Sequence, residues 1–332
     1  VDCAAGAIAY VEKIVQAVNE PIAIDQHIVQ VGVSIGIALY PRHGVDASKL
    51  LCNADHAMYQ AKNSLRSYML HDDSGQHQRA APAPVGNYLH KAIEEQELYL
   101  VYQPEIDLVT GNVVGVEALV RWRSPELGAV LPEQFIPFAE RSALIEKISF
   151  ATLHMALDQL SVWRQQGRLC VPVSVNLSAR MLDDAGLPAR IMNELHARGL
   201  QPSDLMLEIT ETALASSSDT AKQVLTALAA SGVGISIDDF GTGFTSFKYI
   251  RDIDIHEIKI DRLFIENLAE GNRDMSIVRS LTQLCEAMDV RVVAEGIESE
   301  QARSLLKQLG CRRGQGFSIA HPMVADEFVQ WL

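Results

Sequence analysis

The chain of 332 residues has only five cysteines, Cys3, Cys52, Cys170, Cys285 and Cys311, scattered and without a CxxC pair. An odd, unspaced set suits neither a disulfide framework nor a zinc site. It fits a reducing compartment, so core filling is the expected role and the cytoplasm the expected location. The ten histidines likewise show no ligand spacing. No apolar run approaches the length of a membrane span and no signal peptide is visible, so no membrane segment is expected in this chain. Basic residues are few, 28 against 42 acidic ones, for a net charge of −14. That balance argues against duplex nucleic acid as a partner, since such readers carry a basic face. A small anionic substrate remains compatible if metal ions bring positive charge to one place. The first residue is Val1 rather than Met, so a fragment of a longer protein is expected.

What is present is a large apolar complement, 48% of residues, ample for a sizeable core. Asp2–Asn19 shows a helical period through Ile8, Val11, Ile14, Val15 and Val18, stopping before Pro21. Strand-like pieces follow at Ile22–Ile24 and Ile28–Tyr40, then an amphipathic helix at Asp46–Lys62 and a strand at Tyr68–Leu70. Residues 73–86 are polar, then Ala- and Pro-rich, and read as a linker between a small unit at 1–72 and a large one at 87–332.

The large unit alternates strand-like and helix-like segments. The strands are expected at Tyr99–Gln103, Val113–Leu119, Val171–Asn176, Leu205–Ile209, Gly234–Ile237, Glu257–Ile260, Val290–Ala294 and Gln315–Ile319. Between them lie helical stretches such as Ile145–Gln166, Asp219–Ser231 and Glu300–Gln308. An α/β alternation of this length suits a TIM-like (β/α)8 barrel better than a doubly wound sheet.

The stretch Gly232–Phe247 organises the rest: an apolar strand, two adjacent carboxylates at Asp238 and Asp239, then a loop hinged on Gly241 and Gly243. Other strands also end in oxygen ligands or charges: Glu117, Asn176, Glu208 and Glu211, Lys259 and Asp261, Glu295 and Glu298, and Gln315. In a barrel that edge is the active-site mouth. Each close carboxylate pair would cost roughly 4 kcal/mol at 4 Å for an effective dielectric near 20. Either some acids hold protons or divalent cations sit among them, and oxygen-only ligands point to Mg²⁺ or Mn²⁺. Adjacent Asp238 and Asp239 predict a two-cation clamp of the kind used for phosphodiester displacement, with Lys259 orienting the attacking water. His256 is expected to face solvent or pack, and Trp122, Trp163 and Trp331 to serve core or interface.

These stretches carry a resemblance. Asn87–Leu332 resembles an EAL domain, a cyclic di-GMP phosphodiesterase, through YQP (Tyr102–Pro104), EALVRW (Glu117–Trp122), FIPFAE (Phe135–Glu140), VNLS (Val175–Ser178), EITE (Glu208–Glu211), DDFGTGF (Asp238–Phe244), KID (Lys259–Asp261), AEGIE (Ala294–Glu298) and QGF (Gln315–Phe317). It implies a barrel whose first strand is antiparallel, hydrolysis of cyclic di-GMP to linear pGpG, and a homodimer formed through this domain. It further implies Glu117, Asn176, Glu208 and Asp238 at one metal, and Asp238, Asp239 and Glu295 at a second, with Glu295 also a general base. Lys259 would position the water, Asp261 share the mouth, and Glu211 brace the loop after Asp239. Gln103, Leu119, Arg121, Glu298 and Gln315 would form the substrate wall. Two Mg²⁺ or Mn²⁺ ions are implied per site; Ca²⁺ is expected to bind and inhibit, since its looser coordination holds a nucleophile less well. Phe244, Thr245, Ala143 and the pair Ile253–Asp254 depart from the usual pattern and touch no expected ligand.

The small unit resembles the C-terminal half of a GGDEF domain, an α+β fold, through VSIGIALYP (Val33–Pro41) and NADHAMYQAK (Asn53–Lys62). The GG[DE]EF loop itself is absent, so cyclase activity is not expected. Retention of the expected metal ligands favours an enzyme over an inactive cyclic di-GMP receptor.

Overall fold

The computed structural model of the chain describes residues 3–18, 22–24, 27–29, 33–63, 67–71, 85–140, 142, 144–215, 218–242, 251, 253–268 and 272–332. Two compact units divide it, Val1–Val85 and Gly86–Leu332. Gly243, Phe244, Thr245, Ala143, Pro21 and most of the expected linker lie outside the described residues.

In the first unit, helix α1 (Cys3–Val18) is followed by an antiparallel hairpin of β1 (Ile22–Ile24) and β2 (His27–Val29). A separate parallel pair, β3 (Ile35–Ile37) and β4 (Tyr68–Leu70), carries α2 (Ala47–Asn63). The long strand expected over Ile28–Tyr40 is therefore two pieces. Its end is set by a turn in which His43 N–H donates to the Leu39 carbonyl and Leu39 N–H to His43 Nδ1. Gly36 brings strand and helix together: a β-carbon there would stand 1.8 Å from the Ala54 carbonyl oxygen. The described strands of this unit form two two-stranded sheets and no closed one.

The second unit opens with α3 (Val85–Glu94), a helix that the linker reading ran into. Its strands are β5 (Leu98–Asp107), β6 (Val113–Ser124), β7 (Gly128–Val130), β8 (Val173–Asn176), β9 (Leu205–Thr210), β10 (Gly234–Phe240), β11 (Glu257–Ile260), β12 (Arg291–Ala294) and β13 (Arg313–Gly314). The helices are α4 (Pro132–Glu140), α5 (Leu144–Gln165), α6 (Leu187–Ala197), α7 (Glu211–Ala215), α8 (Asp219–Ala230), α9 (Arg262–Glu266), α10 (Asn272–Ala287), α11 (Glu300–Gln308) and α12 (Ala325–Trp331).

Eight strands close a barrel in the order β5-β13-β12-β11-β10-β9-β8-β6, β6 pairing back to β5. Strand β5 is antiparallel to both neighbours, and the other barrel pairings are parallel. The apolar strands and the inner faces of the helices make one continuous core. Ser218 and Ser299 start α8 and α11 by accepting hydrogen bonds from the N–H groups of Ala221 and Ala302. Trp163 stacks edge-on against Tyr102 at 4.8 Å, which makes it core, as is Trp122 against Phe135. Cys285 and Cys311 are buried, whereas Cys170 is exposed, against the expectation that the cysteines fill core. Among the described residues no helix is long and apolar enough to cross a membrane.

Two strand expectations need correction. Strand β6 runs on to Ser124 and forms a hairpin with β7, because Val120, Trp122 and Ser124 continue the alternation; Glu117 thus sits mid-strand. The last strand is Arg313–Gly314 rather than Gln315–Ile319. Beyond Gly314 the chain bonds to the last residue of β12 and to the loop after it: Gln315 N–H donates to the Ala294 carbonyl, and Ile297 N–H to the Gln315 carbonyl.

Candidate active site

The residues from Glu117 to Gln315 meet at the end of the barrel to which the parallel strands point. Lys259, 2% exposed on β11, is the hub. Its Nζ lies 2.7 Å from Glu295 Oε1, 3.1 Å from Glu117 Oε2, 3.1 Å from Glu208 Oε1 and 3.8 Å from Asp238 Oδ1. Asn176 Nδ2 donates to Glu117 Oε1 at 3.2 Å and Glu208 Oε2 at 3.3 Å. Gln315 Nε2 donates to Glu117 Oε2 at 2.7 Å and Glu295 Oε1 at 2.9 Å. Seven residues from seven strands or strand ends are thus tied by one set of hydrogen bonds and ion pairs.

The acidic pair reaches this cluster through a backbone irregularity. The β10–β11 register shifts between Ile237 and Phe240, and Asp239 adopts φ 54°, a conformation a non-glycine residue rarely takes. Simple alternation would have sent the two carboxylates to opposite faces. Instead one oxygen each from Asp238, Asp239 and Glu295 lies within 4.8 Å of the others. Asp239 also shares a hydrogen bond with Asp261, whose Oδ1 accepts from Leu263 N–H at the start of α9. Just past the pair, Gly241 N–H donates to Glu211 Oε2 at 2.6 Å.

Charge is out of balance here. Burial, then the Glu117 charge, drives Glu208 well above the usual carboxylate range. Burial also pushes Glu295 up to about 8 and Asp239 to about 6, the latter aided by Asp238. Asp238 is raised too, by burial against the pull of Lys259. In Glu117 burial is outweighed by Lys259 and Gln315, and its pKa falls. Lys259 is raised well above its ordinary value, because Asp238, Glu117, Glu208 and Glu295 overcome its burial. One amine cannot neutralise five carboxylates, and Glu208, Asp238, Asp239 and Glu295 are all raised in consequence.

Other expected site residues stand around this centre. Gln103 is buried and donates to the Ala320 carbonyl at 3.1 Å. Leu119 follows Glu117 by two residues on β6, half-buried. Arg121 is half-buried, with Nη1 on its neighbour's carbonyl and burial pulling its pKa down. Glu298 is exposed in the loop after β12, outside the cluster's hydrogen bonds among the described residues. His256 is half-buried, its Nδ1 accepting from Ile235 N–H at 3.3 Å. Glu105, Glu257 and Arg313, inward-facing residues deeper in the barrel, were not expected. Their signal was parity: each stands two positions from a site residue, Glu105 from Gln103, Glu257 from Lys259 and Arg313 from Gln315.

The EAL domain family matches residues 87–322, and the diguanylate cyclase GGDEF domain family matches residues 2–67. A bifunctional diguanylate cyclase/cyclic di-GMP phosphodiesterase, MucR of Pseudomonas aeruginosa, is 39% identical over 326 residues, 98% of this chain and 48% of that protein. The cyclic di-GMP phosphodiesterase PdeR of Escherichia coli is 33% identical over 324 residues, 97% of this chain and 49% of the relative. The chain spans about half the length of these curated relatives. Among solved structures, the PaMucR phosphodiesterase in complex with c-di-GMP matches 74% of this chain and 99% of its own, at 40% identity and a TM-score of 0.70.

Proposed function

We propose, from the premise that this chain belongs to the EAL domain family, that it is a metal-dependent phosphodiesterase hydrolysing cyclic di-GMP to linear pGpG. The observation that carries the proposal is the convergence of Asp238, Asp239 and Glu295 beside Glu117, Glu208 and Asn176, an all-oxygen donor set with more negative charge than Lys259 can balance. Such a set fits two hard divalent cations, Mg²⁺ or Mn²⁺. Glu117, Asn176, Glu208 and Asp238 would hold one, and Asp238, Asp239 and Glu295 the other. When bound, the pair supplies positive charge to the phosphoryl oxygens and lowers the pKa of a water.

The protein's own groups do the rest. Lys259 hydrogen-bonds between the two carboxylate sets, where it orients the attacking water. Glu295, deprotonated once the site is loaded, would take a proton from that water. Asn176 would turn its amide oxygen toward the cation. Arg121, Leu119, Gln103, Glu298 and Gln315 form the wall against which the dinucleotide rests. Glu211 fastens the start of the loop after Asp239. A homodimer through this unit and an inhibitory Ca²⁺ complete the reading.

The test is incubation with cyclic di-GMP and Mn²⁺ or Mg²⁺, following pGpG, with Glu117→Ala as control. Turnover lost by at least about a hundredfold in the variant is expected. Product formed equally by Glu117→Ala would sink the metal assignment, and binding without turnover under both metals would make the chain a receptor.

A further inference from the structure

Side chains inside the barrel form two tiers. Inward-facing residues alternate along a strand, so each mouth residue has a companion two positions deeper. Beneath Glu117 lies Gly115, beneath Asp238 Ser236, beneath Lys259 Glu257, and beneath Gln315 Arg313; on antiparallel β5 the residue beneath Gln103 is Glu105. Barrel interiors are ordinarily filled by branched apolar residues. Here the lower tier contains Glu257, 2% exposed, and Glu105, 6% exposed. Buried carboxyls are costly unless they are partnered, and both of these meet Arg313.

Arg313 Nη1 stands 3.3 Å from Glu105 Oε1 and 3.5 Å from Glu257 Oε2. Glu257 also receives Arg291 Nε at 3.4 Å and Ser236 Oγ at 3.3 Å. Gly115 makes the room: a β-carbon there would come within 2.7 Å of Glu105 Oε2.

The position of this cluster gives it a task. Strand β13 is the shortest of the barrel, with two residues in register on each side, Arg313 and Gly314 against Val293 and Ala294, and against Asp107 and Ile106. It is also the seam where the parallel run meets antiparallel β5. Arg313 reaches Glu105 on the adjoining strand and, past β12, Glu257 on β11. The next residue but one is Gln315, which holds both Glu117 and Glu295.

We propose that Arg313, Glu105 and Glu257 form a latch across this seam that positions Gln315 and Lys259, and through them the carboxylates of Glu117 and Glu295. All three are positioning residues, acting through Gln315 and Lys259. The turnover part of this inference rests on the phosphodiesterase reading; the metal-affinity part does not.

The experiment measures Mn²⁺ affinity by calorimetry, and cyclic di-GMP turnover, on the full chain and its Arg313→Met, Arg313→Lys, Glu257→Gln and Gly115→Ala variants. Outer partners of metal ligands typically contribute 10- to 100-fold, so Arg313→Met and Glu257→Gln should weaken Mn²⁺ binding about tenfold and lower kcat similarly, with KM within about twofold. Arg313→Lys, which keeps the charge but spans only one carboxylate, should recover part of the loss. Gly115→Ala should displace the Glu105 carboxylate with every charge retained, and cost about threefold by the same principle. Folded variants with unchanged Mn²⁺ affinity would overturn the latch, even with a lowered melting temperature. If Arg313→Met does not fold, Glu257→Gln and Gly115→Ala decide by the same measure. A wild-type chain without turnover would defeat the phosphodiesterase reading and leave the latch to be judged by Mn²⁺ affinity.

Discussion

At the floor of the barrel two buried carboxylates, Glu105 and Glu257, face the guanidinium of Arg313, with Arg291 at the edge. At the mouth four carboxylates face the single amine of Lys259. Glu105 is pushed up to about 8, by burial first and Glu257 second, so near neutral pH it is largely protonated and Glu257 is left facing Arg313 and Arg291, cations the fold itself provides. The mouth cannot be closed that way. The lesson is that buried acids alone do not mark a metal site; acids in excess of the cations the fold provides do.

The largest break in this contrast should come from Lys259→Met. Among the described residues it removes the one cation in contact with the mouth carboxylates, and turnover should fall by about 10²-fold or more, the cost of losing a group that positions a reactant. Steady-state assays with Mn²⁺ check this; a variant within tenfold of wild type would contradict the role given to the amine.

Next is the pH dependence of stability without metal. Glu295, at about 8, and Asp239, at about 6, hold protons in the folded chain that the unfolded chain releases near pH 4 to 5. Stability of the chelated protein must therefore fall as pH rises from about 4.5 to 8, on the order of 3 kcal/mol from Glu295 after allowance for coupling. Lys259 does not offset this, since its pKa rises from 10.5 and it is charged in both states throughout that window. Mn²⁺ at about 100 times its Kd should restore roughly 2.7 kcal/mol at pH 8. Thermal melts at pH 5 and 8, with and without Mn²⁺, read the result; stability rising with pH in chelator would refute the assignment.

The smallest effect is expected at the rim, where Glu211→Gln exchanges a charge-assisted hydrogen bond to Gly241 N–H for a neutral one. Charge-assisted bonds are about twice as strong, so kcat should drop only about three- to tenfold. An undiminished kcat would detach Glu211 from the site.

Much of this was legible in the sequence because the chemistry is local to strand ends. Glu257–Ile260 and Tyr68–Leu70 were bounded to the residue, and the residues tied to Lys259 had all been singled out. Gln315 was legible as a site residue but not as the residue after a strand, since its bonds go to the Ala294–Ile297 loop, a contact no period encodes. Glu298 was singled out with the rest and stays at the surface. Helix α3 escaped because the Ala/Pro composition ahead of it masked its start.

The sequence by itself determined which carboxylates would share one rim, because alternation and strand order leave a parallel barrel only one end for them. Only the tertiary structure decided that Asp238 and Asp239 face the same way, through a register shift and a left-handed residue. It alone also decided that Arg313, over 200 residues from Glu105, closes the seam beneath them. Both depend on where the closing strands meet, and barrel closure is a property of the whole chain.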